Sequence, residues 1–254
     1  MQIVIIGTGN TATVLGRKLK AAGHQIVQVI GRDGRLASEL AKILDAESTN
    51  IWSAVNRDAD IYLLAVSDIA VEEVFGKLEL LEKTIVHTAA SVSKNLLQAA
   101  DHYGVFYPLQ SLRKETADLP EVPIVIDASD EATFQLLEKL AYSISNKVIA
   151  ATDEERMKLH LAAVFCNNFV NHLYVLMESY CLKEHLDFSL LIPLISETAS
   201  RIEHAPPSQW QTGPAWRDDS DTIKKHLALL NSDPELMHLY ETITASIRRR
   251  TIAV

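Results

Sequence analysis

The chain has 254 residues, 48% hydrophobic and 22% charged, with a formal net charge of −9. That length suits one large domain or two ordinary ones with proper cores. The acidic balance argues against a nucleic-acid partner, which needs surplus basic residues to face phosphates.

In chain order, the first half alternates Val- and Ile-rich runs with helix-like segments. Continuous apolar runs at 2–7, 25–31, 60–66, 83–88, 104–109 and 122–128 suit strands buried on both faces of a parallel sheet. Helices are expected near 10–22, 35–44, 70–80, 92–102 and 130–143, the first ending at a Gly23 C-cap. A short strand at 147–151 closes the series. This alternation predicts a doubly wound α/β domain over residues 1–151.

The character then changes, and residues 152–254 are expected to be all-helical. Thr152-Asp-Glu-Glu155 reads as a capping box, followed by a helical pattern without Gly or Pro to about Glu184. A second helix is expected at 187–205, bent at Pro193. A loop containing Pro206, Pro207, Gly213 and Pro214 precedes a helix at 220–230. Ser232-Asp-Pro-Glu235 reads as another capping box, with Pro at the first helical position of the last helix. Arg248, Arg249 and Arg250 complement that helix's dipole at its end.

Cys166 and Cys181 share the long helix, where fifteen residues hold them roughly 22 Å apart, too far for a disulfide. So few thiols fit a reducing compartment. The N-terminus lacks the basic and apolar regions of a signal peptide. The most apolar long stretch, 159–177, carries His160, Asn167, Asn168, Asn171 and His172, which suits a buried soluble helix instead of a membrane span. A cytoplasmic protein without a membrane partner is expected.

Gly7-Thr8-Gly9-Asn10-Thr11-Ala12 follows the first predicted strand and opens the first predicted helix, the setting of a dinucleotide fingerprint. Gly7 would make the tight turn, Gly9 would let backbone approach a diphosphate, and Ala12 would keep helix and strand close. The free N–H groups of the helix start would bind the anion. At the tip of the second strand, where NAD-binding folds place an acid, stands Gly31. Arg32 follows and Arg35 is near, both suited to a 2′-phosphate. Asp33, two residues late, is the rival hydroxyl contact. NADP(H) is therefore the expected cofactor.

Ligands in such sheets bind outside the carboxyl ends of the strands, here at Ala65-Val66-Ser67-Asp68, His87-Thr88-Ala89-Ala90-Ser91 and Pro108-Leu109-Gln110-Ser111. Asp68 and Ser91 read as helix caps and His87 as a satisfied strand-end histidine. In the long helix, at 100° per residue, His160, Asn167 and Asn171 fall within about 20° of one another, with Asn168 beside them. Such a stripe either faces a cleft or forms a hydrogen-bonded seam between helices or protomers. Histidine titrates near neutral pH and could donate a proton when hydride reduces a carbonyl. Lys158 points the opposite way and reads as solvated or at the cofactor's edge. Arg217 either binds a substrate carboxylate or pairs with Asp218, Asp219 or Asp221, and the local acids favour the pairing. Trp210 and Trp216 could line a pocket or a dimer contact. The histidines lack metal-ligand spacing and the cysteines are isolated, so no metal site is expected.

"IVIIGTGNTATVLGRKLKAAGH", "VIGR" and "AVSD" together resemble the NADP-binding domain of pyrroline-5-carboxylate reductases and deazaflavin-dependent NADP oxidoreductases. "YPLQSL" (107–112), "HLAAVFCNNFVNHL" (160–173) and "TGPAWRDDSDTIKKHL" (212–227) narrow the resemblance to a bacterial oxidoreductase family. It pairs that Rossmann domain with a helical domain similar to the C-terminal domain of 6-phosphogluconate dehydrogenase. The resemblance implies a homodimer through the helical domain. It carries His160, Asn168, Gly213, Pro214, Arg217, Asp219 and His226 over as family positions. Two departures stand out: a usual Ser-Gly pair is Ala89-Ala90, and a usual glycine is Asp218.

The resulting expectation is an NADP(H)-dependent oxidoreductase moving hydride to or from a small carbonyl or imine, anionic ones among the candidates, in the interdomain cleft. His160 and Asn168 are its catalytic candidates and Ser111 and Arg217 its substrate contacts. The cofactor contacts are Gly7–Ala12, Gly31, Arg32, Ala65, Val66 and Ser67. The rival is a module that binds NADP(H) as a sensor without turnover.

Overall fold

After Gln2, every residue of strand β1 (Gln2–Ile6) is β-branched, and all four are essentially inaccessible to solvent. Ile3 and Ile5 enter a core shared with helices α1 (Asn10–Ala21) and α2 (Gly34–Leu44). Val4 and Ile6 enter a second core, on the opposite side, with helix α3 (Val71–Leu78). Burial on both faces explains why the strand reads as an unbroken apolar run. Each fully buried leucine, such as Leu15, Leu19 and Leu44, stabilises this packing by about 1.5–3 kcal/mol.

The computed structural model describes residues 1–116 and 119–251; 252–254, the tail of the predicted helical region, lie outside them. Two compact units are present, Met1–Phe169 and Val170–Val254. The first holds β1, β2 (Gln25–Ile30), β3 (Glu47–Thr49), β4 (Ile61–Leu64), β5 (Thr84–His87), β6 (His102–Pro108), β7 (Ile124–Ala128) and β8 (Val148–Ala150). They form one sheet in the order β3-β2-β1-β4-β5-β6-β7-β8. The order reverses between β1 and β4, leaving a crevice at their carboxyl ends.

The wholly parallel expectation is corrected at β7, which runs antiparallel to β6, while β8 runs parallel to β7. Among the described residues no helix intervenes between β6 and β7 to carry the chain over the sheet and start another parallel strand. The two strands press together at Gly104, where a Cβ would lie 2.3 Å from the Asp127 carbonyl oxygen. Helix α4 (Glu131–Tyr142), capped by Asp130, makes the crossover to β8. Strand β3, polar and at the sheet edge, shows no apolar run to betray it.

The helix expected at 92–102 is only a 3₁₀ turn, Lys94–Leu97, capped by Ser93. Its backbone is tied elsewhere: Lys94 N donates to Asp153, and the Lys94 ammonium reaches Asp127 at 2.7 Å. Helix α5 (Asp153–Ala163) opens with the expected Thr152/Glu155 capping box. It passes into a π-helical stretch, Val164–Phe169, before helix α6 (Val170–Lys183). The i→i+5 pattern takes more residues per turn, so the 100° count aligning His160, Asn167 and Asn171 does not carry through.

In the second unit, α7 (Ile192–Arg201) follows a 3₁₀ turn at Phe188–Leu191. Pro193 sits in the first turn of α7 and bends nothing, because its missing N–H is unneeded there. Asp219 caps α8 (Ser220–Leu229). At α9 (Pro234–Thr251) the cap is Asp233, which accepts from Leu236 N; Ser232 instead accepts from the Lys183 ammonium at 2.9 Å. No helix among the described residues is long and apolar enough to cross a membrane.

Candidate active site

The turn after β1 is built around two glycines with different duties. Gly7 has φ +129°, and its N–H donates to Ile30 O at 2.8 Å. A Cβ there would lie 2.2 Å from the Ala65 carbonyl oxygen, so the turn closes against the end of β4 only because Gly7 has none. Gly9 has an ordinary φ of −83°, and a Cβ there would meet nothing within 4 Å. Its lack of a side chain leaves open space at the start of α1. That helix start has no side-chain cap and no acidic residue in its first turn, so free N–H groups and the positive dipole end face the opening.

The opening is a cavity of about 360 Å³. Of the residues named as cofactor contacts, Gly7, Thr8, Gly9, Gly31, Arg32, Ala65, Val66 and Ser67 line it. Asn10, Thr11 and Ala12 do not: Asn10 accepts a bond from Lys114 N, and Ala12 is wholly buried between helix and strand. Gly31 is glycine for packing, since a Cβ would come within 2.7 Å of the Thr8 methyl carbon. Asp33 caps α2, accepting from Arg35 N and Leu36 N, and the Arg35 guanidinium pairs with Glu39 at 2.9 Å. Of the charged candidates near the tip of β2, Arg32 lines the cavity.

Sequence reasoning missed the other end of this cavity, lined by Asn50, Trp52, Glu73, Val74 and Lys77. Asn50 and Trp52 follow β3, the strand without an apolar signature. The Lys77 ammonium lies 5.8 Å from the Trp52 ring centroid and 2.5 Å from a Glu73 carboxylate oxygen. Lys77, by hydrogen bond and charge, and to a smaller degree Arg32, hold Glu73 below the usual carboxylate range.

A second set of polar groups gathers at the carboxyl ends of β4, β5 and β6. Asp68 caps no helix; its carboxylate accepts from the Ser91 backbone N–H and hydroxyl. Ser91 likewise caps nothing, the turn's cap being Ser93. Arg156 of α5, 1% exposed, donates to the carbonyls of Ala90 and Val92 and to Asp153 at 2.8 Å. Asp153 also accepts from the Ser93 hydroxyl and Lys94 N. One buried guanidinium and its carboxylate thus hold the loop containing Ala89-Ala90.

His87 is fully buried, with Nδ1 accepting from Ala89 N, and burial followed by the Arg156 charge pushes its pKa down to about 4. His160, half-buried in the last turn of α5, bonds through Nδ1 to the Tyr107 hydroxyl at 3.0 Å. Tyr107 was missed as a site residue, although it opens the "YPLQSL" stretch at the end of β6. Asn168 lies exposed in the π-helical stretch and makes no side-chain hydrogen bond among the described residues. Lys158 is exposed and paired with Glu154. Ser111 is exposed, its N–H bonded to the Gln110 side chain at 2.9 Å, and it is outside the cavity lining.

In the second unit, the pairing expected for Arg217 is corrected. Asp218 pairs with Arg248 at 2.7 Å, Asp219 caps α8, and Asp221 lies 3.8 Å from Lys224. Arg217 itself is exposed and forms no ion pair among the described residues. Asp218 has φ +53°, a left-handed conformation that costs less for glycine, the residue the resemblance leads one to expect there. Trp210 stacks against the Arg201 guanidinium at 5.6 Å, and Trp216 lines a separate cavity with Arg250.

A mostly parallel sheet with a switch-point cavity and an uncapped, glycine-lined helix start defines a Rossmann-type dinucleotide-binding protein. Residues 2–91 match the family described as NADP oxidoreductase, coenzyme F420-dependent, and residues 122–247 match a domain of unknown function, DUF2520. The "putative NADP oxidoreductase" BF3122 from Bacteroides fragilis is 40% identical, with 98% of each chain covered and a TM-score of 0.90. The chain belongs to this family of two-part NADP oxidoreductases. Protein TM1727 from Thermotoga maritima (21% identity, TM-score 0.81, covering 98% of this chain and 99% of that one) shares the fold. So does 1-pyrroline-5-carboxylate reductase from Streptococcus pyogenes (14% identity, TM-score 0.66, covering 100% of this chain and 99% of that one). No curated protein matches the sequence.

Proposed function

We propose that this chain binds NADP(H) in the β1–β4 crevice and moves hydride to or from a small carbonyl or imine, including substrates that carry a carboxylate. The observation that carries this reading is the open space beside Gly9 at an uncapped helix start, with Arg32 and Lys77 lining the same cavity. Backbone N–H groups would take the diphosphate, and Arg32 would pair with the 2′-phosphate. The cofactor would supply or accept the hydride. His160 would give or take the proton at the substrate's oxygen or nitrogen, and Asn168 would hold a polar group of the substrate.

A homodimer through the helical part fits the exposure of Leu182 (79%), Leu190 (75%) and Leu194 (64%) in a single chain, since monomers seldom leave such apolar area uncovered. The test is fluorescence titration with NADPH and NADH, followed by turnover of a panel of 2-oxo acids and cyclic imines. The expected result is preference for NADPH, turnover of at least one class, and loss of most of that turnover in His160→Ala with binding intact. Ala89-Ala90 in place of the usual Ser-Gly pair favours the sensor alternative, and NADPH binding without turnover across the whole panel would establish it.

A further inference from the structure

Tyr107 sits at the carboxyl end of β6, 9% exposed, and its hydroxyl is 3.0 Å from His160 Nδ1. The two rings meet edge-on, at 76° with centroids 6.2 Å apart, so the imidazole plane is fixed by packing as well as by the bond. One partner comes from the rigid sheet and the other from the last turn of α5, just before the π-helical stretch. Burial first, then the Asp68 charge, push the Tyr107 phenol above its ordinary value, against a smaller opposite pull from Arg156. The phenol therefore keeps its proton at neutral pH.

A phenol hydroxyl can donate to a bare ring nitrogen or accept from a ring N–H. Accepting from Nδ1–H, the Tyr107 oxygen can hold that proton in the neutral ring and in the imidazolium alike, and Nε2 is then the nitrogen that gains and loses a proton.

We propose that Tyr107 is the positioning residue of His160, holding Nδ1 throughout so that only Nε2 exchanges a proton with the substrate. This rests on the reading of His160 as proton donor. In the reduction, hydride reaches the substrate carbon and the C=O or C=N π pair moves onto the heteroatom. The heteroatom takes the Nε2 proton of the imidazolium, leaving a neutral ring whose Nδ1–H donates to the Tyr107 oxygen. The ring then recovers a proton from solvent. Oxidation runs the same steps backwards.

The test is two-bond ¹H–¹⁵N spectroscopy of the full-length, ¹⁵N-labelled protein, with His160 assigned through His160→Gln. Wild-type His160, when neutral, is expected in the Nδ1–H tautomer. In Tyr107→Phe that preference should be lost and the ring's titration displaced. Turnover with NADPH and the 2-oxo acid and imine panel should fall about 10- to 100-fold, the pH–rate limb moving with the ring titration and NADPH affinity unchanged. A wild-type Nε2–H tautomer, which needs no variant to observe, overturns the assignment, as does an identical tautomer balance in Tyr107→Phe. A changed tautomer alongside full turnover in His160→Gln overturns the proton-donor reading instead, and the proposal with it.

Discussion

Replacing Gly7 and Gly9 separately by alanine separates a glycine needed by the fold from one needed by the ligand. In Gly7→Ala, the new Cβ meets the Ala65 carbonyl oxygen at 2.2 Å on a residue with φ +129°. The backbone conformation costs about 1–3 kcal/mol and the overpacking another 1–3 kcal/mol or so. A loss of about 2–6 kcal/mol is a large share of the roughly 5–15 kcal/mol that holds a domain together. In Gly9→Ala the backbone is already favourable and the Cβ meets nothing within 4 Å. Only the weaker capping preference of alanine remains, about 0.5–1 kcal/mol. Yet that methyl occupies the space a diphosphate must enter, so NADPH affinity should fall by at least about tenfold, roughly 1.4 kcal/mol. Urea unfolding measures the first quantity and fluorescence titration the second. Gly9→Ala binding NADPH like wild type refutes the placement of the diphosphate, and equal stability of the two variants refutes the division of roles.

Three further outcomes are expected. Because the folded pKa of His87 is depressed to about 4 while an unfolded histidine titrates near 6.5, the unfolded chain gains its proton first as pH falls. Stability is therefore lost between those values, by about 2 kcal/mol from pH 7 to pH 5. His87→Asn, whose amide oxygen can accept from Ala89 N, should flatten that urea-measured dependence, and an unaltered slope would count against the burial argument. Arg32→Ala should weaken NADPH more than NADH by about tenfold. Glu73→Gln, which removes a carboxylate competing for Lys77 and Arg32, should tighten NADPH a few-fold, and titrations moving the opposite way would remove these residues from the 2′-phosphate site. Arg156→Met takes the donor from the carbonyls of Ala90 and Val92 and the cationic partner from Asp153, at about 2–4 kcal/mol. It should also speed amide exchange in residues 90–94, and exchange rates equal to wild type would show the loop holds its shape without the guanidinium.

The alternation of apolar runs and helical segments, the glycine turn and the capping box at Thr152 were legible because each is written in adjacent residues. A strand buried on both faces must be apolar throughout, and a helix start must offer Gly or a capping side chain, whatever the rest of the chain does. Gly31 and Arg32 could be found by counting to the tip of β2 for the same reason. Trp52, Glu73 and Lys77 could not, since they reach the cavity from the turn after a polar edge strand and from the first and last turns of α3, none of which carries a local mark. The reversal at β7 and the loss of the helix at 92–102 were decided by contacts over long sequence separation, Gly104 against Asp127 and Lys94 against Asp153. The pairing of Tyr107 with His160, 53 residues apart, belongs to the same class. Local sequence sets which backbone states are cheap, but the partner of a buried polar atom is chosen only when strand and helix are packed together.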